Sequence, residues 1–249
     1  MLGRGRYQRR SRLSTAEQRL TRRGRPAILG PMSSADPAGP SWADAAEARV
    51  VAAAVSLAPS LGWGRTLAAR AAAQAGLSAA DAALLLPGGP RDLAALLSRR
   101  HDRAAIAALA GVEPATLKVR ERIRRAVEAR VEAAAAEEAA VRRCTAWLAL
   151  PPNLPLALAL LWESADTLWR WAGDTATDEN HYSKRAILSA VLATTVGVRF
   201  QRGAAAASEH LDQQIQRVMD FERWKAGLPK PAQTLSTIAA ALGRIRYGD

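Results

Sequence analysis

Two acidic side chains, Glu163 and Asp166, have a spacing that could support catalysis. Residues three positions apart share one face of a helix, where one carboxyl group can act as general acid and the other as general base. Helical carboxylates at this spacing more often face solvent or a partner, so a hydrolase is the weakest interpretation that we consider. The common nucleotide-binding, zinc-protease and serine-hydrolase motifs do not occur in the sequence. The sequence therefore predicts a protein without catalytic residues.

Metal-binding residue types are scarce. The chain has one cysteine, Cys144, and three histidines, His101, His181 and His210. These numbers exclude a disulfide framework and a zinc site built from the Cys and His residues of one chain. A di-iron helical bundle needs a glutamate three residues before a ligating histidine, and no histidine here has one. We expect no metal and no cofactor.

Large rings are concentrated in one short stretch of the chain. Four tryptophans fall within 25 residues: Trp147, Trp162, Trp169 and Trp171. The neighbouring segment 150–161 is apolar almost all round, which suits a helix that is buried on several sides or lines an apolar cavity. Residues 169–171 cannot all face one way, so we expect at least one of the two rings there to be exposed. An exposed tryptophan flanked by acids is typical of an interface anchor.

The elements that position these residues are predicted to be helices. Hydrophobic residues make up 49% of the chain but aromatic residues only 5%, and small apolar side chains favour helices over strands. Breaks between helices are expected at Gly and Pro clusters, and Ser78 with Asp81 has the pattern of a helix N-cap. Pro114 is expected at the first position of a long helix. The fold class is therefore all-α.

The segment 46–97 has helix-turn-helix spacing but lacks DNA-reading residues. The helix predicted after Ser78 contains one acid and no Arg, Lys, Asn or Gln, so it would be repelled by phosphates and has nothing that could read bases. We therefore expect a degenerate helix-turn-helix and no nucleic-acid partner.

The positive charge of the chain is concentrated at the N-terminus. The formal net charge is +12, and residues 1–25 hold nine arginines against Glu17, a net charge of +8. Residues 1–43 are predicted to be a disordered Arg-rich tail. Residues 1–31 are a transit-type leader, a basic arm for lipid or nucleic acid, or sequence upstream of a true start at Met32, which we favour.

The C-terminal segment 227–249 is predicted to be a linker followed by an amphipathic helix. One face of the helix carries the apolar residues Leu235, Ile238, Leu242 and Ile245. Two prolines in the linker and two arginines near the end favour binding to a membrane surface over docking on the domain. Elsewhere, the longest uncharged run is broken by prolines at 151, 152 and 155, so we expect no membrane span.

Residues 169–188, WRWAGDTATDENHYSKRAIL, resemble a long motif of a known family. The motif is W-x-x-A-G-D-x-S-T-D-x-N-x-Y-[ST]-x-R-x-x-L of the ubiquinone-biosynthesis lipid-binding accessory family, the ninth of the Coq proteins. The resemblance covers roughly residues 45–226 and is supported by the Arg-rich helix 118–130, by LPPNLP at 150–155 and by LLPGGP at 85–90. The chain departs from the motif in having Ala176 in place of Ser and Arg170 in place of an aromatic residue.

The resemblance implies a TetR-like helical bundle over residues 44–226 that has lost DNA binding. It also implies a homodimer, a cavity for isoprenoid quinone intermediates and phospholipid, and a C-terminal helix that engages membranes. Family members present these intermediates to the membrane-bound di-iron hydroxylase of the pathway. They act as accessory proteins at the inner membrane, on the cytoplasmic side in bacteria or the matrix side in mitochondria.

Candidate site residues follow partly from this resemblance. Trp169, Arg170 and Asp174 match the surface that faces the hydroxylase. Helical periodicity selects seven candidate lipid-binding residues: Leu156, Leu160, Leu161, Ile187, Val191, Leu192 and Thr195. The alternative function is a TetR-type transcriptional regulator with a small-molecule pocket, in which the Arg-rich arm holds DNA.

Overall fold

The computed structural model describes residues 41–174 and 179–226. In these two ranges the chain forms nine α-helices, two short 3-10 helices and no strand, which confirms the all-α prediction. The α-helices are α1 (Trp42–Leu61), α2 (Arg65–Gln74), α3 (Ala79–Leu85), α4 (Pro90–Ala108), α5 (Val119–Ala135), α6 (Glu138–Leu148), α7 (Leu154–Trp171), α8 (Glu179–Arg202) and α9 (Ala204–Ala226). The predicted tail before residue 41 and the predicted membrane helix with Leu235, Ile238, Leu242 and Ile245 lie outside the described residues.

Helices α2 and α3 have the helix-turn-helix spacing that the sequence predicts. Gly76, in the turn, has φ 74°, a left-handed conformation that glycine adopts without a steric penalty. The hydroxyl of Ser78 accepts a hydrogen bond from the Asp81 backbone N–H (3.1 Å) and donates to the Asp81 carboxylate (2.7 Å), so the N-cap is confirmed. None of the residues of α3 is buried, and Leu84 is 78% exposed.

Three helix boundaries differ from the sequence prediction. Pro114 begins a 3-10 helix (Pro114–Thr116), and α5 begins only at Val119. Pro59 lies inside the last turn of α1 instead of ending the helix. A break at Glu137, between α5 and α6, contains neither Gly nor Pro. The Glu137 carboxylate binds His101 and Arg100 of α4, so tertiary contacts stabilise a break that local propensity does not indicate.

The buried apolar side chains form two clusters. The first joins α1, α2, α4 and α6, with Val50, Leu67 and Leu93 fully buried at its centre. The second joins α5, α7 and α8, and Leu211 of α9 completes it. Because α7 contributes Leu160 to the first cluster and Leu168 to the second, this helix connects the two halves of the core.

Within the described ranges, no single helix has the length and apolar character needed to cross a membrane. The segments Glu138–Leu148 and Pro151–Trp171 reach that threshold only as a pair, and the chain bends by 98° between them.

Candidate ligand cavities and partner surface

An apolar depression, here called the outer groove, lies between α5, α7, α8 and α9 and has a volume of about 660 Å³. Its floor is formed by buried or half-buried aliphatic side chains: Ile123, Ile187, Leu188, Val191, Ile215 and Val218. Val119 and Met219 are exposed at its edges (54% and 42%). The groove is therefore open to solvent and offers an apolar surface of a size that suits lipid or drug-like ligands.

Cations and one tryptophan form the rim of the outer groove. Lys118, Arg120 and Lys184 all line it, as does the ring of Trp169. The indole N–H of Trp169 donates to the Lys184 carbonyl (3.1 Å), and the Lys184 ammonium lies 5.3 Å from the ring centroid. Trp169 is thereby fixed in place as part of the rim.

A network of ion pairs lies behind this rim. Arg185 is 2% exposed, and its guanidinium binds Asp166 (2.6 Å) and Asp174 (3.1 Å). The Lys184 ammonium also binds Asp174 (2.7 Å). Burial alone would raise the pKa of Asp174, but the hydrogen bonds from Lys184 and Arg185 outweigh it and hold the pKa below its ordinary value. The network joins the end of α7 to α8.

The three predicted partner-binding residues are close in the chain but differ in exposure. Arg170 is 74% exposed and pairs with Asp166 (2.7 Å), whereas the Asp174 side chain is 8% exposed. Trp169 and Trp171 are both half-buried and pack against the second core cluster, so the expectation of an exposed ring among residues 169–171 is wrong. The indole N–H of Trp169 bonds the Lys184 carbonyl of α8, so contacts with this neighbouring helix help to cover the ring. The exposed ring in this region is Tyr182 (65%), 6.0 Å from the ring of Trp162.

A second apolar depression, here called the inner cavity, lies between α4, α5, α6, α7 and α8 and has a volume of about 340 Å³. Most of its wall is aliphatic, including the buried side chains of Leu97, Val141, Leu160 and Leu192. The lining residues Leu154 and Leu158 are 45% and 66% exposed, which places the mouth of the cavity at the start of α7.

One end of the inner cavity is polar. Ser98, His101, Arg130 and Ser164 line it there. The Arg130 guanidinium donates to Asp102 Oδ1 (2.5 Å) and to Ser98 Oγ (3.3 Å), and the Ser164 hydroxyl donates to Asp102 Oδ2 (3.0 Å). Beside them, His101 Nε2 lies 2.9 Å from Glu137 Oε2. We call these six residues the buried polar cluster.

Burial sets the protonation of three groups near this cavity. Burial lowers the pKa of His101 below 6.5, and the hydrogen bond to Glu137 only partly opposes this, so the imidazole is neutral at pH 7. The hydrogen bond from His101 lowers the pKa of Glu137 more than its own burial raises it. Burial raises the pKa of the Cys144 thiol to about 12, so this side chain behaves as a small apolar group.

The structure does not bring the seven predicted lipid-binding residues into one cavity. Ile187 and Val191 line the outer groove, and Leu160, Leu161 and Leu192 line the inner cavity. Leu156 packs against the first core cluster, and buried Thr195 donates its hydroxyl hydrogen bond to the Val191 carbonyl (2.7 Å). Periodicity identifies inward-facing residues but cannot tell which side of a shared wall each one faces. The polar cluster was missed because its members are far apart in the chain and form no motif.

Glu163 and Asp166 are engaged in separate ion pairs. Glu163 binds Arg99 (3.2 Å), whereas Asp166 binds Arg185 and Arg170. Carboxylates that are each held by an arginine do not form the acid/base pair of a hydrolase, which further weakens that interpretation. Among the described residues, no group of three His, Cys, Asp or Glu side chains is arranged to hold a metal ion.

The fold, the outer groove and the inner cavity define an all-α protein with apolar spaces of ligand size. Residues 154–222, from α7 into α9, match the COQ9 family model, which supports the family resemblance of the sequence. The chain is similar to the mitochondrial ubiquinone biosynthesis proteins COQ9 of Homo sapiens (30% identical over 161 residues), Rattus norvegicus (30% over 161) and Xenopus tropicalis (29% over 164).

Each of these alignments covers 61% of this chain and 50–51% of the relative. The chain thus matches about half the length of these curated relatives.

Proposed function

We propose that this protein acts in ubiquinone biosynthesis as a non-catalytic accessory protein that binds isoprenoid quinone intermediates. It presents them to the membrane-associated di-iron hydroxylase of the pathway. The observation that carries the proposal is the outer groove, an apolar surface of about 660 Å³ whose lining residues lie mostly within 154–222, the region that matches the COQ9 family model. A polyprenyl chain is too apolar to leave a bilayer unaided, and the aliphatic floor of the groove replaces its lipid contacts.

The position of the groove supports presentation to a partner. Trp169 forms part of the rim, and Arg170 beside it is exposed, so a ring held at the rim would lie next to the predicted hydroxylase-binding residues. The third of these residues, Asp174, forms ion pairs with Lys184 and Arg185 and so fixes the position of α8 beside the rim. Because the groove is open, a tail longer than its floor can extend beyond it.

Membrane attachment and dimerisation belong to the same proposal. The amphipathic stripe of residues 235–245 would hold the protein at the surface from which the lipid is taken. The relatives are named as mitochondrial proteins, which suits the matrix side of the inner membrane, and the cytoplasmic side of a bacterial membrane is the equivalent position. Homodimerisation follows only from the resemblance of the sequence.

A regulator of TetR type is the second candidate, because the helix-turn-helix spacing is present in α2 and α3. Helix α3 contains one acidic residue and no Lys or Arg, so DNA binding would depend on the N-terminal arginines alone.

Lipid analysis of the native protein tests the proposal. The full chain is purified without detergent from a ubiquinone-producing host, and its bound lipids are identified by mass spectrometry. We expect polyprenyl phenols or quinones in the wild-type protein. In Val218→Trp, which fills the outer groove, we expect a several-fold loss, because the ring occupies the space of the ligand.

Val198→Trp is the matched control, since Val198 is half-buried on α8 and lines neither cavity. Circular dichroism confirms that both variants stay helical. An empty wild-type protein would count against lipid presentation and favour the regulator, whereas equal lipid content in Val218→Trp would remove the outer groove as the site.

A further inference from the structure

The inner cavity combines an aliphatic wall with one polar end, a distribution that suits an amphiphile better than a plain hydrocarbon. We propose that the inner cavity is a second binding site, for a small neutral amphiphile whose oxygen-bearing end lies against Ser98 and Arg130. This site is distinct from the outer groove and does not depend on the isoprenoid proposal.

Every charged side chain of the buried polar cluster is already paired with an opposite charge. Arg130 is paired with Asp102, and Glu137 is paired with Arg100 (2.6 Å), while His101 is neutral at pH 7. A carboxylate or ammonium entering this end would lose its hydration without finding an unpaired opposite charge. The cluster therefore selects against ions and favours a neutral head.

The hydrogen bonds already made in the cluster leave donors for a ligand. Ser98 Oγ accepts a hydrogen bond from Arg130. Its own proton has one possible acceptor among the described residues, Ser164 Oγ at 3.5 Å, and this distance is long for a hydroxyl donor. The proton of Ser164 is already committed to Asp102. Arg130 carries five N–H donors, and within the described ranges its side chain hydrogen-bonds only Asp102 and Ser98. A carbonyl or hydroxyl oxygen of a ligand is the complementary group.

The rest of the cavity fits an aliphatic body. From the polar end the wall continues along Leu97, Leu160 and Leu192 to the mouth at Leu154 and Leu158. A volume of about 340 Å³ is at the lower end of the range for small-molecule pockets, which is roughly 300–1,000 Å³. The ligand is thus a compact molecule, or the head of a longer one whose tail leaves past the exposed leucines.

Three probes with the same chain length separate the possible ligand classes. Binding of 1-decanol, decane and decanoate to the full-length protein is measured by titration calorimetry at pH 7.5. We expect 1-decanol to bind about tenfold more tightly than either of the others, because only a neutral oxygen satisfies the cluster without an unpaired charge. A one-isoprene benzoquinone, added as a fourth probe, tests whether the head of a longer isoprenoid is accepted.

A serine variant locates the head of the ligand. Ser98→Ala should lower the affinity for 1-decanol by about tenfold and leave that for decane unchanged, because a hydroxyl donor is lost. Ser98→Thr keeps the hydroxyl and should keep the preference. Ser189→Ala is the matched control, since Ser189 is half-buried on α8, donates to the Arg185 carbonyl and lines neither cavity.

The single cysteine of the chain reports occupancy of this cavity alone. Cys144 lines the inner cavity, and its raised pKa makes modification by a disulfide reagent slow and measurable at pH 9. Bound 1-decanol should slow that reaction several-fold, both in the wild type and in Val218→Trp, where the outer groove is filled. Equal affinities for 1-decanol and decane, or a Cys144 rate that does not change on binding, would overturn the proposal while leaving the outer groove untouched.

Discussion

Single residues in this protein show most clearly how burial changes chemistry. His101 is 4% exposed and lies among Arg130, Asp102 and Glu137, with Arg100 on the far side of Glu137. Desolvation dominates, and the imidazole stays neutral where an exposed histidine would begin to take up a proton. The residue therefore contributes to stability as a neutral hydrogen-bonding group.

This protonation state predicts a pH dependence of stability. As the pH falls below 6.5, His101 binds a proton in the unfolded chain but not in the folded one, so the free energy of unfolding falls, by at most about 1.4 kcal/mol per pH unit. Urea unfolding at pH 7.5 and pH 5.5 measures this loss, which should be smaller in His101→Gln. Glu137, whose pKa is lowered, loses its contribution only at still lower pH.

His210→Gln is the control for this experiment, because His210 is half-buried and its ring hydrogen-bonds only Thr194 (3.2 Å) among the described side chains. If the loss between the two pH values is as large in His101→Gln as in the wild type, it arises from another group.

At the scale of elements, the helices differ in how strongly the core holds them. Helix α7 connects both core clusters, while α3 contributes no fully buried residue and touches the first cluster only through half-buried Leu85, so local interactions matter more for it. The N-cap hydrogen bond from the Asp81 backbone to Ser78 is one of those interactions.

We therefore expect Ser78→Ala to destabilise α3 locally by about 1 kcal/mol, which corresponds to roughly fivefold faster exchange of its protected amides. Hydrogen exchange followed by mass spectrometry measures this on the α3 peptide. Ser60→Ala is the control, because Ser60 is exposed in the last turn of α1 and its hydroxyl bonds only the Leu57 carbonyl. Unchanged exchange in α3 would mean that the cap does not limit its opening.

Comparison of elements also shows what the sequence could and could not predict. Gly and Pro clusters marked most helix ends correctly, as at Gly76 and Gly203, because these residues act through their own backbone. The break at Glu137 was missed because contacts with α4 stabilise it. At least one of the rings of Trp169 and Trp171 was expected to be exposed because residues 169–171 cannot all face one way, but both rings pack against the second core cluster and Arg170 alone points outward.

At the scale of the whole molecule, the net charge of +12 suggests nucleic-acid binding, but the positions of the charged residues do not support it. Residues 1–25 hold +8 of it, and many arginines of the described part are paired with acids, as Arg124 is with Asp212 and Arg199 with Glu132. In a functional helix-turn-helix the second helix reads the DNA, and here that helix, α3, contains no basic side chain.

We expect a chain that begins at Met32 to give no shift of duplex DNA in a gel assay, because its remaining cations form no reading surface. The full chain should bind weakly and without sequence preference, and this binding should disappear as salt rises from 50 to 200 mM, since it depends on exposed arginines. A sequence-specific shift by the shortened chain would instead support the regulator.

The lack of buried residues in α3 has a practical consequence for engineering. Nothing in the core depends on the side chains of residues 79–84, whose outward surface is mostly alanine and leucine. These residues line neither the outer groove nor the inner cavity, and they lie outside the segment 154–222 that matches the COQ9 family model. A fluorescent label attached there should therefore leave both ligand spaces free.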